Sequence, residues 1–220
     1  MDEVVRLMPQ NDYLFYGDSK NNPYGEKSDD ELMSITSDIT EQLIAKGCRI
    51  IVIACNTATT RCRKALMKKY PDIVFVGTVP AVKVACDRHF KNILVLATPA
   101  TIASQRMKEL IEANKKADQN IYPVACFGLA DAIENDDDDE IDRILNDIQK
   151  EYQNHSIDAV VLGCTHYPFI KERIAEKFPD AEIIDGAKGV ARETQHQIKL
   201  LGEDESSDKP GTIEITFTQK

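Results

Sequence analysis

Two cysteines in this chain each follow an apolar, strand-like run and precede short polar side chains. Cys55 lies between the run RIIVIA and the residues Asn56 and Thr57, and Cys164 lies between the run DAVVLG and Thr165. A thiolate can remove a proton and a thiol can return one, and the dipole at the start of a helix favours the thiolate. Both cysteines therefore suit proton-transfer chemistry.

Each cysteine alone allows other interpretations. Cys55 could be a buried structural thiol followed by a helix cap, because free cysteine is often buried. Cys164 has His166 two residues away, so this pair could be a thiol tuned by histidine, the nucleophile and base of an acyl-transfer enzyme, or a satisfied turn. Together the two motifs favour inversion of a carbon centre, which needs a base on one face and an acid on the other.

The residues around these motifs predict an α/β protein. Runs that read as strands cover residues 13–17, 49–54, 73–77, 92–97, 121–125 and 158–163, with weaker candidates at 181–185 and 212–218. Most are continuous apolar runs, as in strands that are buried on both faces. Helical stretches cover residues 57–69, 100–115, 139–152 and 169–177, and a further helix runs from the capping box Ser28–Glu31 to Gly47. This alternation predicts mostly parallel sheets flanked by helices, with both cysteines at the carboxyl ends of strands, where ligands bind.

The composition narrows the class of protein. The chain has 220 residues, of which 42% are hydrophobic and 29% charged, and its net charge is −10. This acidic balance argues against a nucleic-acid partner. We expect no membrane partner and a cytoplasmic location, because no apolar run approaches a membrane span and the N-terminus does not resemble a signal peptide.

The acidic run 136–140 is interpreted as a solvated loop or helix start. The six cysteines include no C-x-x-C pair, so neither a metal site nor a disulfide framework is predicted.

Five segments carry a resemblance to a known family, and two of them, NPYGEKS and GCTHYP, are specific when they occur together in this order. The segments are YGDSKNNPYGEKS (16–28), VIACNTAT (52–59), ATPATI (97–102), VLGCTHYP (161–168) and, more loosely, IIDGAKGVA (183–191). Here the sequence resembles the glutamate racemase family of the aspartate/glutamate racemase superfamily, over nearly the whole chain.

The resemblance implies a two-lobed α/β fold with the active site in the cleft between the lobes. The first lobe would comprise residues 1–79 and 188–220, and the second residues 80–187. The resemblance also implies interconversion of L- and D-glutamate without a pyridoxal cofactor, a reaction that supplies D-glutamate for peptidoglycan synthesis. It suggests a homodimer. An aspartate or broader amino-acid racemase, and a catalytically impaired binding protein, are the alternatives.

Carried over by motif, the resemblance implies a set of site residues. The catalytic cysteines would be Cys55 and Cys164, assisted by His166 and by the carboxylates of Asp18 and Glu134. The substrate contacts would be Pro23, Tyr24, Gly25, Asn56, Thr57, Thr98, Thr101 and Thr165. The other cysteines match no catalytic position and are interpreted as structural: Cys48, Cys62, Cys86 and Cys126.

Some of these assignments have plainer alternatives. Asp18 could cap or bridge a loop, and the Pro23–Gly25 segment could be only a turn. Glu134 could be a surface acid, because its surroundings, ACFGLADAIEND, depart from the proline-containing stretch that is usual in the family.

The family's first strand, which ends in Asp-Ser-Gly-x-Gly-Gly, has no counterpart in this sequence, and nor does its last helix. A mis-assigned start codon, a degraded gene or a shortened protein with an altered role would each account for this, and the first two are favoured. We therefore expect little or no racemase activity from the chain as written, and activity from an extended form.

Overall fold

The chain forms parallel sheets flanked by helices. A computed structural model describes residues 1–202 and 209–218. Its helices are α1 (Asp2–Leu7), α2 (Asp29–Ala45), α3 (Asn56–Lys69), α4 (Val82–Asp87), α5 (Pro99–Ala103), α6 (Gln105–Asn114), α7 (Leu129–Glu134), α8 (Asp138–Tyr152), α9 (Lys171–Lys177) and α10 (Ala187–Leu200). Its strands are β1 (Tyr13–Gly17), β2 (Ile50–Ile53), β3 (Val74–Gly77), β4 (Asn92–Ala97), β5 (Asn120–Ala125), β6 (Ala159–Gly163), β7 (Glu182–Ile184) and β8 (Ile213–Phe217). The predicted α/β class with parallel sheets is confirmed.

The residues group into two compact units. Unit 1 contains Met1–Ala54, Arg61–Thr78 and the described part of Ala187–Lys220, whereas unit 2 contains Cys55–Thr60 and Val79–Gly186. The short segment Cys55–Thr60 thus groups with unit 2, although the sequence-based division placed it in the first lobe. The lobe boundaries stay a prediction. None of the helices in the described parts of the chain is long and apolar enough to span a membrane.

Unit 2 is built on a four-stranded parallel sheet of order β5-β4-β6-β7. Its two central strands are buried on both faces, as their continuous apolar sequences predict. On β4, Leu94 and Leu96 point to a core formed with α7, α8 and α9. Ile93 and Val95 point to a second core formed with α4 and α6. The side chains of a strand alternate between faces, so one apolar run serves both cores.

Unit 1 contains two pairs of parallel strands, β1 with β8 and β2 with β3. Helix α2 begins with the predicted capping box, in which the Ser28 hydroxyl accepts from the Glu31 amide and the Glu31 carboxylate accepts from the Ser28 amide. Its residue Leu32 packs with Ile51 of β2 and Phe75 of β3 in the core of this unit. The acidic run 136–140 contributes the first turn of α8, so the predicted helix start is confirmed.

Two helix predictions need correction, and helices α4, α7 and α10 were not predicted. The stretch 100–115 forms two helices, because Ser104 is extended (ψ 144°) and its side chain caps α6 by accepting from the Met107 amide. The stretch 169–177 begins as a 3₁₀ turn, Tyr167–Ile170, before α9. Helix α7 was not predicted, since it is short and follows Gly128, whose φ of 73° favours glycine.

Gly163 allows β6 and β4 to approach closely just before Cys164. A Cβ at Gly163 would lie 2.7 Å from the Ala97 Cβ and 2.8 Å from the Leu96 carbonyl oxygen, so the backbone would have to move. We therefore expect Gly163→Ala to lower the free energy of unfolding by about 1–3 kcal/mol in urea denaturation. Gly189→Ala is the matched control, because a Cβ there meets nothing within 4 Å. An unchanged urea midpoint for Gly163→Ala would contradict this packing.

Candidate active site

Cys164 is a buried thiol directly after β6. Cys164 is 8% exposed, and burial raises the pKa of its thiol to about 12. The backbone amides of His166 and Tyr167 donate to its sulfur and oppose that rise in pKa. A negative charge on Cys55 or Cys126 raises the Cys164 pKa further. Cys164 is therefore a protonated thiol at neutral pH.

His166 connects this thiol to a carboxylate. The Cys164 Sγ lies 3.7 Å from His166 Nδ1, and His166 Nε2 lies 3.1 Å from Glu134 Oε2. Both the histidine and the glutamate are partly buried. A neutral imidazole that donates from Nε2 to the carboxylate has Nδ1 free to accept a proton from sulfur. The three residues form a proton-transfer chain, in which Glu134 is placed by the end of α7.

Cys55 lies between β2 and α3, at the N-terminus of a 14-residue helix. Its sulfur accepts a long hydrogen bond, 3.5 Å, from the Ala58 amide in the first helical turn. This amide and the helix dipole both favour negative charge on the sulfur. Asn56 is only 6% exposed, and its buried Oδ1 has no hydrogen-bond partner among the described residues. A buried acceptor of this kind is suited to a ligand that donates.

Three threonines from two helices form a hydroxyl cluster. Thr57 Oγ1 lies 3.2 Å from Thr98 Oγ1 and 3.5 Å from Thr101 Oγ1, and the Thr98 hydroxyl donates to Thr101 over 2.9 Å. Thr101 is fully buried, and Thr98 is the N-cap of α5. The cluster holds the first turn of α3, and with it the residues after Cys55, against the start of α5.

The carboxylate of Asp18 accepts several hydrogen bonds in unit 1, one of them from the predicted site residue Tyr24. Asp18 accepts from the Tyr24 hydroxyl over 2.7 Å, from the Asn21 amide group over 2.9 Å and from the Thr218 hydroxyl over 2.9 Å. Pro23 precedes the 3₁₀ turn Tyr24–Glu26, which contains Gly25. Asp18 thus bridges a loop, as its plainer interpretation held, and its catalytic assignment stays a prediction.

The remaining predicted residues belong to unit 2. The structure brings Cys164, His166 and Glu134 into one proton-transfer chain. A negative charge on Cys55 raises the pKa of Cys164. Thr165 is exposed. No group of three or more His, Cys, Asp or Glu side chains within residues 1–202 and 209–218 could hold a metal ion.

Two further polar side chains are buried in the same apolar core as Cys164, and neither was predicted to have a role. Cys126 was interpreted as structural, and Tyr167 lies inside the GCTHYP motif without an assigned role. Both belong to the same apolar core as Cys164. What sets these two side chains apart is their burial in one core, and no residue spacing in the sequence indicates that burial.

The profile of the Asp/Glu/hydantoin racemase family matches residues 6–194. The chain belongs to the Asp/Glu/hydantoin racemase family. It is 38% identical to a glutamate racemase of Clostridium botulinum (strain Alaska E43 / Type E3) over 219 residues, which cover 98% of this chain and 84% of that one.

Two solved structures have the same fold as this member of the racemase family. Glutamate racemase isoform RacE1 from Bacillus anthracis superposes with a TM-score of 0.82 at 25% identity, covering all of this chain and 83% of its own. Escherichia coli glutamate racemase, in complex with L-glutamate and an activator, superposes with a TM-score of 0.78 at 26% identity, covering 97% of this chain and 82% of its own.

Proposed function

We propose that this member of the racemase family is a glutamate racemase, which interconverts L- and D-glutamate by two-base proton transfer between Cys55 and Cys164. The relative from Clostridium botulinum and the structures from Bacillus anthracis and Escherichia coli, all glutamate racemases, support the substrate. The resemblance supports a reaction without a cofactor and a role in supplying D-glutamate for peptidoglycan. A cytoplasmic location and a homodimer stay predictions on the same ground.

The position of the two cysteines, Cys55 directly before α3 and Cys164 directly after β6 beside His166, is the observation that carries the mechanism, and their electrostatic coupling supports it. A charge on Cys55 raises the pKa of Cys164, so a thiolate on the first favours a proton on the second. Racemisation requires this combination, because one group must remove the α-proton while the other returns a proton to the opposite face. After turnover the charges are exchanged, and the protein is ready for the reverse reaction.

Local groups support each half of the transfer. The helix start and the Ala58 amide favour a thiolate at Cys55. His166, backed by Glu134, can accept the thiol proton of Cys164 and return it. We assign the α-ammonium group of glutamate to the unpaired Asn56 Oδ1, because an ammonium donates hydrogen bonds and a buried acceptor needs a donor.

The remaining substrate contacts are proposed from the motif matches. Thr57, Thr98 and Thr101 offer hydroxyl groups, although Thr101 is fully buried and hydrogen-bonded to the other two. Thr165 is exposed, so its side chain is accessible to a ligand. Pro23, Tyr24 and Gly25 are proposed to contact the substrate, with Asp18 as a supporting carboxylate.

Circular dichroism of purified L-glutamate and of purified D-glutamate tests the function. With the protein at high concentration, we expect both signals to decay to zero, and Cys164→Ala to abolish the decay. Faster decay with aspartate would favour the broader racemase. Stable signals for all four enantiomers would contradict the function.

A further inference from the structure

Strands β1 and β8 pair in parallel, and an aspartate and a threonine are hydrogen-bonded at each end of the pair. Asp12 precedes β1 and accepts from the amide and the hydroxyl of Thr212, over 2.8 and 2.7 Å. Asp18 follows β1 and accepts from the hydroxyl of Thr218 over 2.9 Å. The residues of each pair lie 200 positions apart, which is also the register of the two strands. The same contact therefore closes both ends of this strand pair.

The two aspartates differ in what else they bind. Among the described residues, Asp12 receives its side-chain hydrogen bonds from Thr212 alone. Asp18 also accepts from the Tyr24 hydroxyl over 2.7 Å, and from the Asn21 amide group, which lies 2.9 Å from both carboxylate oxygens. Asp18 thus connects the end of the sheet to the loop that follows β1, whereas Asp12 only closes the sheet.

Thr218 lies directly after β8 and binds this loop at two points. Its hydroxyl accepts from the backbone amide of Lys20 over 2.9 Å and donates to Asp18 over 2.9 Å. A carboxylate only accepts, so the hydroxyl hydrogen must point to Asp18, and a hydrogen bond to a charged group is stronger than one between neutral groups. One side chain from β8 therefore holds both the backbone and the carboxylate at the start of the loop.

The loop, residues 18–26, has weak backbone structure of its own. It contains two short 3₁₀ turns, Ser19–Asn21 and Tyr24–Glu26, in which no residue is fully buried. The backbone hydrogen bonds that close these turns are 3.4–3.5 Å long, beyond the usual range for an amide donor. The side-chain bonds to Asp18 and Thr218 are of normal length, so they contribute more to the position of the loop than its own turns do.

We propose that Thr218 is a positioning residue, which holds this loop, through Asp18 and Lys20, in the conformation that binds glutamate. The proposal rests on the function proposed above, in which the loop residues Pro23–Gly25 contact the substrate. Thr218 itself does not contact the substrate. A loop that is already ordered binds without the entropic cost of ordering, so the Thr218 hydroxyl should lower KM and have little effect on kcat.

The test replaces the hydroxyl with a methyl group at each end of the strand pair. Thr218→Val keeps the β-branched shape and removes the bonds to the loop. Thr212→Val is the matched control, because it makes the same change where the bonded aspartate has no contact with the loop. Thr218→Ser keeps the hydroxyl. Circular dichroism at several glutamate concentrations gives KM and kcat, and hydrogen exchange with mass spectrometry reports the order of residues 18–26.

We expect Thr218→Val to raise KM by about threefold to tenfold and to change kcat by less than about twofold. Thr212→Val and Thr218→Ser should keep KM within about twofold of the wild type. Amide exchange of residues 18–26 should become faster in Thr218→Val and not in Thr212→Val, although both variants should lower the thermal midpoint by a similar amount.

Equal KM values for Thr218→Val and Thr212→Val, or unchanged exchange of the loop in Thr218→Val, overturn the proposal. If Thr218→Val does not fold, Tyr24→Phe decides, because it removes the bond between the loop and Asp18 from the other side. Unchanged loop exchange in Tyr24→Phe then overturns the proposal. Exchange needs no turnover: faster loop exchange in Thr218→Val, with no racemisation by the wild type, retains Thr218 as the residue that positions the loop and rejects the proposed function.

Discussion

Replacing Cys164 with alanine is expected to lower the rate of glutamate racemisation by about 1,000-fold or more, and Cys55→Ala should do the same. Each change removes one of the two groups that exchange protons with the α-carbon, and the other cannot act on both faces. Circular dichroism of both enantiomers measures the loss. Because Cys164 is buried in an apolar core, alanine should leave the fold intact apart from a small cavity.

Two controls separate loss of chemistry from loss of packing. Cys62 and Cys86 are also buried, with 1% and 0% of their surface exposed, and neither lies among the proposed catalytic groups. Their alanine variants should retain racemisation within a few-fold while losing similar stability. Cys55→Ala or Cys164→Ala retaining more than a tenth of the wild-type rate would rule out the two-cysteine mechanism.

Replacing His166 with asparagine is expected to reduce racemisation by about 100-fold. Asparagine can still donate a hydrogen bond but cannot exchange a proton, so Cys164 loses its partner at 3.7 Å. Glu134→Gln should cost less, about tenfold, because glutamine leaves the imidazole in place but removes the charge that stabilises its protonated form. Steady-state rates in both directions measure the two effects.

The double variant His166→Asn/Glu134→Gln shows whether the two residues act as one chain. If Glu134 acts only through His166, the double variant should be no slower than His166→Asn alone. His155→Asn is the matched control, because this histidine packs against Tyr122 and Tyr152, away from Cys164. If the double variant loses activity by the product of the two single losses, the two residues act independently and do not form a proton-transfer chain. A His166→Asn rate within twofold of the wild type would also contradict this proton-transfer chain.

Strands β4 and β6 could be predicted from the sequence because they are buried on both faces. The run NILVLA coincides with β4, and DAVVLG overlaps β6 with a difference of one residue. Such strands need apolar side chains at every position, which makes them visible as continuous runs. The capping box of α2 was equally visible, since its two reciprocal hydrogen bonds require specific residue types at a fixed spacing.

The parts that could not be predicted depend on single residues or on tertiary contacts. The break at Ser104 comes from one serine that caps α6 rather than continuing α5, and both roles are compatible with its sequence. Glu134 could be assigned only by resemblance, because its contact with His166 joins residues that lie 32 positions apart. The burial of the Tyr167 hydroxyl has no signal in the sequence, since it depends on the packing of the whole core.

The decisive measurement is the fate of the α-proton when L-glutamate is converted in D₂O and followed by proton NMR and chiral analysis. Two bases on opposite faces predict that D-glutamate carries deuterium at the α-carbon from the earliest times, because its new proton comes from a thiol that has exchanged with solvent. The remaining L-glutamate should stay protonated over the same period. D-glutamate that retains the original proton, or L-glutamate that exchanges without forming D-glutamate, would contradict proton transfer between Cys55 and Cys164.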